Sequence, residues 1–294
     1  MDTNRLLVLA GPTSAGKTDA ALWIAERWEA VVVSADAMQV YTGMDIGTGK
    51  CTSAERGRVP HYGIDIRAPN EAFDASDFVD LAERAISEHH RVVVAGGTSL
   101  YIHALVRGLV ETPPVDMALR SELEGAEDLY ERLQAVDPIL ASRLHPNDRV
   151  RLVRGLEVYL QSGQRLSALH DAHAERPDRH EVSGLWLDRD DLYERIDQRV
   201  HAMMEGGYVA EVRALLDAGF ERGLKPMQSL GYRHLCDHLL DGVDVAEAVR
   251  CTQRDTRRFA RKQRNWKRSL SYEVSRSDDL ARLERLGREA FGEP

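Results

Sequence analysis

Gly11-Pro12-Thr13-Ser14-Ala15-Gly16-Lys17-Thr18 is the stretch on which the reading of this chain turns. It satisfies G-x-x-x-x-G-K-[ST], follows an apolar run from Arg5 to Ala10 and precedes the helical pattern of Ala21, Leu22, Ala25 and Trp28. That is the strand, loop and helix setting a phosphate loop requires. The glycines let backbone N–H groups curl around an anion, and the helix amino terminus adds positive potential. Lys17 supplies a full charge, and the Thr18 hydroxyl is a ligand for Mg²⁺. All eight residues are therefore candidates for holding a polyphosphate group.

Working outward, Val31 to Ala35, Val92 to Ala95 and Val182 to Leu187 are further short aliphatic runs with helical patterns between them, as in a parallel sheet built of βαβ units. Phe78, Leu81, Ala82, Ala85 and Ile86 recur at helical spacing before the third run and predict a helix packed on the sheet. The expected fold is α/β, a P-loop (nucleoside-triphosphate-hydrolase-like) parallel sheet with a helical insertion and an all-helical carboxy-terminal part. The expected boundaries are 1–111 with 178–294 for the core and 112–177 for the insertion.

At 294 residues, with 43% hydrophobic and 30% charged residues, the chain can bury a full core. No apolar run approaches the roughly 20 residues of a membrane span. Three widely spaced cysteines lack the pairing of a zinc site or disulfide framework, and the expectation is a cytoplasmic monomer. A net charge of -9 argues against nucleic-acid binding through an overall positive field. From Arg250 to Arg268, however, nine basic residues face one acid, Asp255.

A phosphate loop first suggests an NTPase or kinase, but the run Val92 to Ala95 leads into Gly96-Gly97-Thr98-Ser99, without the acidic residue that ends a Walker B strand. The strand Val31 to Val33 is followed by Asp36 and Gln39, at the carboxyl edge where open α/β sheets bind ligands. From the residues alone, Asp36 either orients an amine or caps the next segment. Gln39 either reads a base edge or is a solvated turn residue. On a helix, Arg254, Arg257, Arg258, Arg261, Arg264 and Arg268 form one stripe, read as phosphate contacts rather than a solvated face. Phe259 and Trp266 fall elsewhere and are read as core rather than base-stacking.

Taken in order, GPTSAGKT at Gly11, SADAMQVYTGMDIGTGK at Ser34, VPHYGIDI at Val59, GGTSLY at Gly96, HPNDRVRLVRGLEVY at His145, LYERIDQRVHAMMEGG at Leu192, SLGYRHL at Ser229 and DTRRFARKQRNWKR at Asp255 resemble bacterial tRNA dimethylallyltransferases along almost the whole chain. The resemblance implies Mg²⁺-dependent transfer of a dimethylallyl group from its diphosphate to N6 of adenosine 37, beside the anticodon of certain tRNAs. It implies that Thr13, Gly16, Lys17 and Thr18 hold the diphosphate, that Asp36 deprotonates the adenine amine and that Thr98 hydrogen-bonds in the reaction channel. Catalysis would rest on Asp36, Thr98 and Lys17. Contacts to the anticodon stem-loop would come from Asp36, Ala37, Met38, Gln39, Thr98 and Arg120, and from Val150, Arg151, Leu152, Val153 and Arg154. Others would come from Ser229, Leu230, Gly231, Tyr232, Arg233, Arg257, Arg261, Lys262, Arg264, Lys267 and Arg268. The chain departs from the family pattern at Ala37, where Ser is usual, at Cys51, where Pro is usual, at Tyr62, where a second His is usual, and at Ser99, where Gly is usual. The departure at Tyr62 weakens a metal role for His61. Lys50 either approaches the diphosphate or caps a surface turn. The competing readings are an adenylate isopentenyltransferase, which needs neither insertion nor basic helix, a P-loop small-molecule kinase, and a binding module without catalysis.

Overall fold

A computed structural model describes residues 5–270 and 272–294. Six parallel strands, β1 (Arg5–Ala10), β2 (Val31–Ser34), β3 (His61–Tyr62), β4 (Arg91–Gly96), β5 (Val182–Leu187) and β6 (Glu273–Ser275), form one sheet in the order β3-β2-β4-β1-β5-β6. The central strands are buried on both faces, as helix-covered parallel strands must be. Leu6, Val8 and Ala10 enter one core cluster while Leu7 and Leu9 enter the other, and Val92 and Val94 are separated from Val93 in the same way.

The helix Ala75–Glu88 packs on the first of these cores through Phe78, Val79, Ala82, Ala85 and Ile86. Its start is fixed by a capping box in which Asp74 accepts from the Asp77 N–H and Asp77 accepts from the Asp74 N–H. The carboxy-terminal part is helical, with one addition. The strand β6 runs beside β5, pairing Val274 with Trp186. Strands β3 and β6 are two and three residues long, too short for an alternation to register in sequence. Both are edge strands defined by the neighbour they pair with.

The residues divide into two compact units, one of residues 1–106 and 179–294 and one of Arg107–Asp178. The second is a set of five helices around Leu123, Leu133, Leu140, Leu152 and Leu156. The position of β4 between β1 and β2 fixes the site. The chain leaves β1, skips a place to form β2, and later fills the gap with β4. Ala10 lies opposite Gly96 and Ser34 opposite Ala95, so the segments after β1, β2 and β4 emerge side by side at one sheet edge.

Candidate active site

The phosphate loop joins β1 to the helix Lys17–Trp28. Gly16, at the helix cap, has φ +86°, a conformation that a side chain opposes. Lys17 Nζ donates to the Pro12 carbonyl at 2.7 Å. Burial pushes the Lys17 ammonium down to about 8, against the opposing pull of Asp36 and with a smaller push from Arg199. A lysine held this way gains most when a polyanion arrives to replace the lost water.

Beside the loop, Gly96 passes so close to β2 that a Cβ would stand 2.0 Å from the Ala35 carbonyl oxygen. This approach lets Thr98 reach across. Its Oγ1 accepts from the Ala37 N–H at 3.0 Å and remains free to donate. Asp36 Oδ1 accepts from the Met38 N–H at 2.8 Å, so Asp36 does cap its turn while its carboxylate also lines the cleft. Gln39 is not a solvated turn residue: its Oε1 accepts from Ser34 Oγ at 2.8 Å and its Nε2 donates to the Gly49 carbonyl at 3.3 Å.

These groups line one cleft of about 1180 Å³, along with Thr13, Ser14, Gly16, Thr18 and Ala37 to Gln39. Gly11, Pro12 and Ala15 are buried beneath the loop. Thr18 Oγ1 makes no hydrogen bond among the described residues. Its hydroxyl is a hard oxygen donor of the kind that suits Mg²⁺.

Sequence reasoning missed three residues here. Arg199 enters the cleft from the helix Leu192–Glu205, its guanidinium donating to the Thr48 carbonyl at 3.2 Å and approaching Thr13 Oγ1 at 3.5 Å. Gln263 joins two segments of the site: it accepts from the Thr13 N–H and donates to the Gly97 carbonyl, each at 2.9 Å. Glu211 accepts from the N–H groups of Asp45, Ile46 and Gly47 at 2.9, 2.6 and 3.1 Å and from Tyr232 Oη at 2.6 Å. It thereby fixes the turn whose Thr48 and Gly49 carbonyls hold Arg199 and Gln39. An amphipathic helix pattern carries no signal for any of the three, although a glutamine in an otherwise cationic run could have marked Gln263.

In Glu211→Gln the amide would turn its own donor toward those N–H groups. The expected result is diphosphate binding about ten- to a hundredfold weaker, with faster hydrogen exchange confined to residues 45–47. Wild-type exchange in that turn would sink this account.

Several expectations need correction. Phe259 and Trp266 are not core: they are 43% and 41% exposed and border the cleft, because the helix Val245–Asn265 buries Ala248, Thr252, Ala260 and Gln263 instead. The cationic stripe is partly neutralised from outside the helix. Arg257 pairs with Asp197, and Arg264 pairs with Asp188 at 2.7 Å. Arg254, Arg258 and Arg233 converge on Asp255, whose carboxyl is held well below its usual range by Arg254 first and also by Arg233. Arg261, Lys262, Lys267 and Arg268 are exposed and find no ion-pair partner among the described residues.

Leu152 and Val153 are core residues of the second unit and cannot offer side chains to a ligand, whereas Val150 is exposed. Arg120 and Arg154 both bind the buried Glu157, at 2.7 and 2.6 Å, and Arg151 pairs with Asp148. Ser229, Leu230, Tyr232 and Arg233 border the cleft. Gly231 and Tyr232 are buried, and the Tyr232 hydroxyl is engaged by Glu211.

Lys50 neither approaches the diphosphate site nor caps a surface turn. Its buried ammonium binds the Tyr41 carbonyl, Asp45 and Asp65. His61 is occupied by the Val59 carbonyl and Cys51, and Tyr62 by His89. Among the described residues no three His, Cys, Asp or Glu side chains gather as a metal site, and no helix is long and apolar enough to cross a membrane.

A phosphate loop whose neighbouring strand leads into Thr98, with a carboxylate facing the loop's lysine, defines a P-loop transferase. The family model described as IPP transferase matches residues 39–270. A tRNA dimethylallyltransferase of Geobacter metallireducens is 47% identical over 277 residues, 90% of each chain. The full-length tRNA isopentenylpyrophosphate transferase of Bacillus halodurans superposes with a TM-score of 0.71 at 33% identity, covering 99% of this chain and 97% of that one. A eukaryotic dimethylallyltransferase caught acting on tRNA shares the fold, with a TM-score of 0.81 at 24% identity over 97% of this chain and 77% of its own. The chain belongs to the IPP transferase family, and it is a prenyl-transferring enzyme.

Proposed function

We propose that this enzyme transfers the dimethylallyl group of dimethylallyl diphosphate to N6 of adenosine 37 in tRNA, releasing diphosphate, as a cytoplasmic monomer. The observation that carries the reading is the meeting of Asp36 and Thr98 beside the phosphate loop. There an amine can be held against a carbon whose leaving group is an anchored polyphosphate. The C1–O bond to diphosphate breaks as the N6–C1 bond forms. The phosphate-loop amides, Lys17 and Arg199 stabilise the departing anion, and Asp36 takes the N6 proton. Thr98 fixes the backbone at Ala37 and keeps its own proton for the acceptor. Mg²⁺ held by the Thr18 hydroxyl and diphosphate oxygens would offset part of the leaving group's charge.

The test is to incubate the protein with dimethylallyl diphosphate and unmodified tRNA, AMP, or ATP plus small acceptors. Prenylated adenosine in tRNA digests is expected. Prenylated AMP alone would point to an adenylate isopentenyltransferase, and phosphoryl transfer from ATP to a kinase.

The ion pairs of the basic helix refine how tRNA is held. Changing Arg261, Lys262 and Arg268 to alanine together should reduce the log–log salt slope of tRNA binding by about two to three, since each lost phosphate contact removes about 0.7 to 0.9. Changing Arg257 and Arg264, which already serve Asp197 and Asp188, should reduce it by less than about one. Equal effects per residue would show that the ion pairs open on binding.

A further inference from the structure

Of the helix Val245–Asn265 and its end, the side turned to the cleft carries Asp255, Arg258, Phe259, Lys262 and Trp266. Leu100, 55% exposed, lines the same cleft. Two aromatic rings nearly half open to water are costly on a surface that has apolar helix faces to spend elsewhere. The same helix buries a threonine and a glutamine, Thr252 and Gln263, and leaves its phenylalanine out. Trp266 is also held in place: its ring lies against the His103 ring at 5.8 Å. Its carbonyl accepts from Ser269 Oγ at 2.7 Å, and that hydroxyl lies 3.0 Å from His103 Nε2.

We propose that Phe259 and Trp266 are stacking platforms for the unpaired bases that flank the target adenosine. The inference rests on the reading of the enzyme as one that acts on RNA. An amine inside a stacked loop cannot reach Asp36, so the target nucleotide must leave the stack. Its neighbours then expose base faces to water. A ring supplied at the mouth of the cleft recovers that stacking without regard to base identity. Exposed Lys262, Lys267 and Arg268 beside the rings suit the phosphates of the same nucleotides, which favours single-stranded RNA over an apolar protein segment. Residues 259 and 266 lie two helical turns apart, about 10 Å along the axis, so each ring meets a different nucleotide.

Stacking and phosphate contacts differ in their response to salt, and this separates them experimentally. Binding of an unmodified anticodon stem-loop is measured across a salt series for the full protein and for Phe259→Leu, Trp266→Leu and Trp266→Phe. Each leucine variant is expected to bind about tenfold more weakly or worse at every salt concentration, with an unchanged log–log slope. Trp266→Phe should recover most of the loss. With 2-aminopurine beside the target adenosine, the fluorescence change on binding should shrink in the leucine variant at the ring that meets that base. Binding of dimethylallyl diphosphate should not change, which also certifies that the variants are folded. Leucine variants that bind the stem-loop as tightly as the parent would overturn the proposal, even if the parent prenylates RNA. A change in slope would assign the loss to displaced cations and overturn it too. A parent that binds no RNA would remove the reading on which the proposal rests.

Discussion

Lys17→Ala is expected to abolish measurable diphosphate binding and turnover while the thermal transition is retained. The lysine supplies no apolar packing to either face of the sheet. Its single hydrogen bond, to Pro12, pins the loop it serves. What the substitution removes is a full positive charge aimed at an anion in a partly desolvated cleft.

The position of its ammonium at about 8 adds a pH signature. Burial lowers this value from that of a free lysine, so the empty protein loses the charge as pH rises through about 8. A bound diphosphate favours the protonated form and draws the value back up. Donor binding therefore takes up a proton in the window between about 8 and 10.5, and affinity falls with rising pH there. Calorimetry in buffers of different ionisation heat would reveal the uptake. Retained turnover in the alanine variant, or affinity that does not vary from pH 7 to 10, would contradict the role assigned to Lys17.

Asp36→Asn is expected to slow the chemical step by about two to four orders of magnitude with tRNA affinity nearly unchanged. Asparagine is a cleaner replacement than alanine because Asp36 Oδ1 caps Met38, and an amide oxygen can accept that bond. The turn carrying Ala37 and Met38 then survives, and the loss reports the carboxylate itself. Single-turnover kinetics with the donor bound would separate chemistry from product release. If tRNA affinity collapses while the single-turnover rate at saturation holds, Asp36 recognises the acceptor and does not take its proton.

The parts of this molecule that were legible in sequence share a physical reason. The phosphate loop, the aliphatic strands and the capped helix at Ala75 are local: their residues follow one another, and each pattern states its own geometry. Asp36 and Thr98 were readable because each stands two residues beyond the end of a buried strand, and strand ends of an α/β sheet converge. Arg199, Glu211 and Gln263 were opaque because the loops they hold lie 151 to 250 residues away, and nothing in a helical repeat says which polar side chain will meet which loop. The cationic stripe misled for the same reason. Counting charges along one helix cannot see Asp188 and Asp197, which belong to other elements, and so overstated how many arginines stand free. The aromatic pair was assigned to the core on the general tendency of large apolar residues, which this helix departs from by burying Thr252 and Gln263 instead.

Gln263 carries a consequence for how the enzyme comes into being. By spanning Thr13 and Gly97, it ties the loop after the first strand to the loop after the fourth, yet it lies 250 residues beyond Thr13. While the chain is being made, the phosphate loop emerges about 250 residues before this tie can form. The two loops are therefore joined only once the helix Val245–Asn265 has docked, so this part of the site is completed late in the order of synthesis.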